Sequence, residues 1–78
     1  MTADELAALE RELLAAHEAG DGEALTGLYA LVADKAEASD DIDSAAFFLT
    51  HAWIFALERG DERAEALRAR LANWGRVD

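Results

Sequence analysis

Two histidines, His17 and His51, sit in a chain carrying seventeen carboxylates, and any acid-base or metal chemistry would have to be built from these groups. Asp40, Asp41 and Asp43 have the look of the start of a calcium loop. The loop then fails: Ser44-Ala45-Ala46 supplies no turn glycine, and no Glu stands at the twelfth position. His17-Glu18-Ala19-Gly20-Asp21 lacks the second histidine that a zinc-protease helix places one turn on. Cysteine is absent, which removes thiolate nucleophiles, cysteine-ligated zinc and disulfide staples together. No phosphate-binding loop, dinucleotide fingerprint or serine elbow occurs. The expectation is a protein that is not an enzyme, with no catalytic residue, no cofactor and no metal. His17 is expected to face the end of its own helix, where an imidazole meets the negative pole of the helix dipole.

The elements that would position these groups are helices. Nineteen alanines, five glycines and no proline favour helix and leave few interior breakers. Thr2 followed by Glu5 forms a capping box, and Leu6, Leu9, Leu13 and His17 then recur on one helical face up to Gly20. Asp21 can cap a second helix with the stripe Leu25, Leu28, Tyr29, Val32 and Ala36. Asp40 or Asp41 starts a third, whose main face holds Ile42, Ala45, Ala46, Leu49, Ala52, Trp53 and Ala56 and whose stop is Gly60. Asp61 is expected to cap a fourth, with Ala64, Leu67, Leu71 and Trp74 inward. The fold class predicted is all-α, a single domain over residues 1–78 made of two stacked antiparallel hairpins, with helices near 3–19, 22–38, 42–59 and 62–74.

The two halves align at an offset of forty residues. Glu18-Ala19-Gly20-Asp21 and Ala24 fall on Glu58-Arg59-Gly60-Asp61 and Ala64, and Leu9, Leu13, Leu14 and Leu31 fall on Leu49, Trp53, Ile54 and Leu71. Helical arrays with such periods bury a core by stacking on neighbours, and about three units are normally needed. Gly20-Asp21-x-x-Ala24-x-x-x-Leu28, Asp41-x-x-x-Ala45-x-x-Phe48-x-x-x-Ala52-x-x-x-Ala56 and Gly60-Asp61-x-x-Ala64 resemble the tetratricopeptide-like superfamily, including its Sel-type variant, over residues 20–64. Leu28 is followed by Tyr29 where that family's first helix has Leu-Gly. The resemblance implies a helical-repeat scaffold for protein partners.

The third helix is apolar around most of its circumference. Phe48 and Phe55 lie on one flank, Phe47 and Ile54 on the other, and only Ser44, His51 and Glu58 make a polar strip. Such a helix is either buried on several sides or offers a flank to a partner. The flank expected to be open is that of Phe48 and Phe55. Phe48, His51, Phe55 and Tyr29 are therefore the candidate protein-binding residues, with His51 hydrogen-bonding a bound peptide. The alternative is a homodimer that completes the short array across a twofold axis.

Charge and length set the remaining bounds. Net charge is −10, and residues 1–58 hold thirteen acids against Arg11 and Lys35. Such a surface repels phosphate backbones, so no nucleic-acid partner is expected, although an acidic protein that competes with nucleic acid fits the same charge. The arginines at 59, 63, 68, 70 and 76 are expected to salt-bridge neighbouring helices. No apolar run approaches the roughly 20 residues that span a bilayer, and the start carries no signal-like basic and apolar segment. A cytoplasmic protein with no membrane contact is the expectation.

Overall fold

The computed structural model describes residues 2–77, and among these every regular element is helical: α1 (Ala3–Ala19), α2 (Gly22–Ala38), α3 (Ile42–Arg59) and α4 (Arg63–Asn73). The Thr2 hydroxyl accepts the Glu5 amide, and the carboxylates of Asp21 and Asp41 accept the amides of Ala24 and Ser44, each at 3.1 Å. Each of these bonds satisfies one of the amides that a first helical turn leaves without a partner. Helix four begins at Arg63, one residue later than the sequence predicts, and Asp61 makes no such cap three residues on. Its carboxylate instead takes the Arg63 amide at 2.9 Å and both flanking guanidiniums, from Arg59 at 2.8 Å and Arg63 at 2.7 Å.

All four helices stop in the same way. Gly20, Asp40, Gly60 and Gly75 are left-handed, with φ between 59° and 73°. The next amide in each case reaches back to a carbonyl five residues earlier: Asp21 to Ala16, Asp41 to Ala36, Asp61 to Ala56 and Arg76 to Leu71. These paired bonds are Schellman closures, which satisfy the orphan carbonyls of a helix end. The three inter-helix turns thus recur every twenty residues, one helix and its turn at a time. The forty-residue pattern conceals this because the middle turn uses Asp40, an L-residue in a conformation that glycine adopts without a steric penalty.

The helices form two antiparallel hairpins, α1 with α2 and α3 with α4, joined by the most extensive contact, α2 on α3. Backbones approach closely only between successive helices, and the molecule measures 33 × 29 × 13 Å. The last dimension is little more than one helix diameter, so the array is a single layer. Its core is correspondingly thin. Ala33, Ala46, Leu49, Ala52, Ala56, Leu67 and Leu71 form one buried cluster from α2, α3 and α4, with Trp53 and Trp74 packed on its margin. Helix α1 contributes only Leu9 and Ala16 to the buried set, whereas α2 contributes Leu25, Thr26, Val32 and Ala33. Among the described residues no helix is long and apolar enough to cross a membrane.

The arginines tie the layer together. Arg59 at the end of α3 reaches Glu23 of α2, Arg70 of α4 bridges Asp34 and Glu37 of α2, and Arg76 pairs with Asp43 at the start of α3. Arg70 also lies over the ring of Trp74. Arg68 pairs with Glu65 along α4, and Lys35 ties α2 to Glu5 of α1. Most of these pairs are exposed, and each contributes little by itself. Asp61 is the exception, with its side chain 11% exposed between two guanidiniums.

Two consequences can be measured. Gly60→Ala meets no atom but must hold φ at +65°, so it should destabilise by about 1 kcal/mol, whereas Asp40→Gly relieves the same strain and should stabilise by a smaller amount. For a chain of this size about 1 kcal/mol moves the thermal midpoint by about 4–8 °C, with opposite signs for the two variants. The hydrogen bonds and charge of Arg63 hold the Asp61 carboxyl well below its ordinary value of 3.8. A lowered folded-state pKa contributes stability that is complete above the unfolded value and is lost as pH falls through the folded one. The midpoint penalty of Asp61→Asn should accordingly be full at pH 7 and shrink as melts are repeated below pH 3.8.

Candidate interaction face

Because α1 and α3 both run antiparallel to α2, they run parallel to each other and flank one face of it. On this face six rings from three helices meet, with Phe47 at the margin against Phe48 and His51. Tyr29 is the hub: its ring stacks on His51 at 5.0 Å, Phe55 at 5.8 Å and Phe48 at 6.5 Å between centroids. Its hydroxyl lies 2.9 Å from Nε2 of His17, whose ring also meets Phe55 edge-on at 5.9 Å. Helical spacing accounts for the α3 set, since 48, 51 and 55 step by three and four and bring one side of the helix towards α2. Offset and edge-on ring pairs of this kind add about 0.5–1.5 kcal/mol each beyond the area they bury.

The structure therefore brings Tyr29, Phe48, His51 and Phe55 together and adds His17 from α1. It also changes what several of them do. Phe48 and Phe55 are half-buried in the stack. The open side of α3 is the adjoining one, where Phe47, its ring against Phe48 and His51, is 60% and Ile54 45% exposed, followed by Leu57. A helical wheel cannot distinguish two equally apolar flanks; the side on which α1 lies decides, and its His17 reaches across to Phe55. His51 is half-buried rather than set in a solvent-facing strip. Its Nδ1 is 2.9 Å from the Phe47 carbonyl, and since a carbonyl only accepts, Nδ1 carries the proton. His17 finds Tyr29 instead of its helix terminus, whose carbonyls at Ala16 and His17 are taken by Asp21 and Gly20.

Hollows lie at both ends of the ring stack. One of about 490 Å³ is lined by His17, Leu25, Phe55, Glu58 and Arg59, and one of about 270 Å³ by Leu6, Val32, Lys35, Ser44 and Phe48. The larger groove of about 650 Å³ lies between α1 and α2 around Ala15, Ala24, Gly27, Leu28 and Leu31, away from the rings. It contains neither histidine and has no side chains suited to catalysis beyond Glu12 and Asp21, the latter committed to its cap. Among the described residues no cluster of His, Asp and Glu gathers as a metal site.

The chain matches no protein-family model, no curated protein and no solved structure.

Removing the hub tests that geometry. Tyr29→Phe deletes only the contact with His17 and should cost about 0.5–1.5 kcal/mol in urea unfolding. Tyr29→Ala also removes the ring that His51, Phe48 and Phe55 stack on, and should cost about 2 kcal/mol or more. Equal costs for the two would show that the stack contributes nothing beyond one hydrogen bond.

Proposed function

We propose that this chain is a small, non-enzymatic, cytoplasmic protein-interaction module of the tetratricopeptide-like kind, with its contact surface on α3 and the neighbouring face over α2. The observation that carries this reading is an inversion of size between inside and outside. Six of the twelve buried apolar residues are alanines, while Phe47, Ile54, Leu57, Leu14, Leu31 and Leu6 are exposed. Single exposed apolar side chains are ordinary on any protein. Large ones stepping along one helix, as Phe47, Ile54 and Leu57 do, make a continuous apolar ridge of the type that marks interfaces. Phe48, Phe55, Tyr29 and His51 then serve as the partly covered floor beside the ridge, contributing shape and rigidity where Phe47 and Ile54 contribute free area.

A self-associating structural protein is the second reading, favoured by the single-layer architecture, which leaves both broad faces open. Mass and stability together test both. The double variant Phe47→Ser, Ile54→Ser should leave the chain folded, with a thermal midpoint lowered less than by Phe55→Ser, because both side chains are about half in water although Phe47 gives up its ring contacts with Phe48 and His51, and it should abolish association with any partner. Phe55→Ser should lower the midpoint strongly. If light scattering finds a concentration-dependent dimer that the double variant abolishes, the ridge is a self-interface. If the double variant unfolds, the ridge is core and the module reading fails.

A further inference from the structure

The ridge of α3 has a counterpart on α1, and the two carry the same sign of charge. Along α1, Leu6, Glu10, Leu14 and Glu18 step four residues at a time, with Leu14 61% exposed. Along α3, Phe47, His51, Ile54 and Glu58 step by four, three and four. Because the helices are parallel and offset by forty residues, Glu18 and Glu58 stand at the same end of the face, beside the carboxyl ends of both helices. Among the described residues Glu10, Glu18 and Glu58 have no ion pair. Most of the cations are engaged elsewhere: Lys35 with Glu5, Arg59 with Glu23 and Asp61, and Arg63, Arg70 and Arg76 with their own acids. Among the described residues Arg11 of α1, next to Glu10, makes no ion pair.

We propose, resting on the interaction-module reading, that the trough between α1 and α3 receives a basic amphipathic helix from another protein. Two parallel rims with apolar side chains at helical spacing fit a helix laid along the trough, which is the helix-in-groove mode. The apolar side of the ligand covers Phe47, Ile54 and Leu14, and its lysines or arginines meet Glu10, Glu18 and Glu58. The negative poles of α1 and α3 reinforce the two terminal glutamates, so the ligand's cations concentrate at that end. A second copy of this chain is disfavoured as occupant, because the net charge is −10 and the same face of a copy presents mainly acids to Glu10, Glu18 and Glu58.

The probe is a fluorescein-labelled peptide of about 18 residues, the length of α1 or α3, with leucines at positions i, i+3, i+4 and i+7 and lysines elsewhere. Its controls are a scrambled peptide of equal composition and the same leucine pattern with glutamine for lysine. Fluorescence anisotropy with the full chain should give saturable binding that weakens with added salt. Phe47→Ser with Ile54→Ser should weaken it about tenfold or more, and Glu18→Gln with Glu58→Gln should weaken it severalfold. Amide shifts on titration should centre on residues 14–18 and 47–58. Binding of the scrambled peptide equal to that of the patterned one, or shifts centred instead on Leu28 and Leu31, overturns the proposal. Equal affinity for the glutamine peptide overturns the basic ligand while leaving the docking face intact. If no peptide binds and scattering shows a dimer lost in the Phe47, Ile54 double variant, the occupant is a second copy and the proposal falls.

Discussion

Close approach of α2 and α3 through small side chains is the constraint from which the rest of the molecule follows. Ala33 on one helix and Ala45, Ala52 and Ala56 on the other are fully buried, and this pair has the most extensive contact in the fold. Alanines let helix backbones come near the short end of the usual 8–10 Å separation. With so little volume between them, α2 and α3 have no room for rings at the seam, and the rings are displaced to its edges. Tyr29, Phe48 and Phe55 gather on one side, while on the other Leu49 clusters with Leu67 and Leu71 of α4. The aromatic stack is thus a product of packing before it is a surface for anything else.

Electrostatics acts on top of this arrangement, and its role is chiefly one of allocation. Residues 1–58 are heavily acidic, and the cations that could offset them come mostly from α4 and its flanks. Arg70 crosses to α2, Arg76 returns to the start of α3, and Arg59 and Arg63 close on Asp61. The basic end of the chain is drawn against the α2 and α3 side, leaving the α1 side negative. A pairing that began as a helix cap at Asp61 becomes a two-arginine clasp because its neighbours at 59 and 63 are both within reach.

Helix positions were legible from local chemistry because each helix begins and ends on residues whose physics is local. Thr2, Asp21 and Asp41 cap where their side chains predict, and Gly20 and Gly60 stop their helices as glycines do. Asp40 was not legible as a left-handed stop, since its side chain makes it an equally good cap. Nor was the late start of α4, which depends on competition between an amide cap and two guanidiniums for one carboxylate. The four candidate contact residues do meet in space, because three share one side of α3 and the fourth faces them from α2. Which flank of α3 stays open is tertiary information. Phe47 and Phe48 are chemically identical neighbours, and only the location of α1 separates a half-buried ring from an exposed one.

The alanine core also has an entropic side. Burying an alanine freezes no rotamers, whereas ordering a long or branched apolar side chain costs up to about 1 kcal/mol or more in lost rotamer freedom. A core half made of alanine is therefore cheap to order, and modest in what its burial returns. The larger side chains at 6, 14, 31, 47, 54 and 57 keep much of their freedom in the isolated chain. In the folded chain the apolar area at these positions therefore stays in contact with water, and the ordering that burial would impose on their side chains is not incurred.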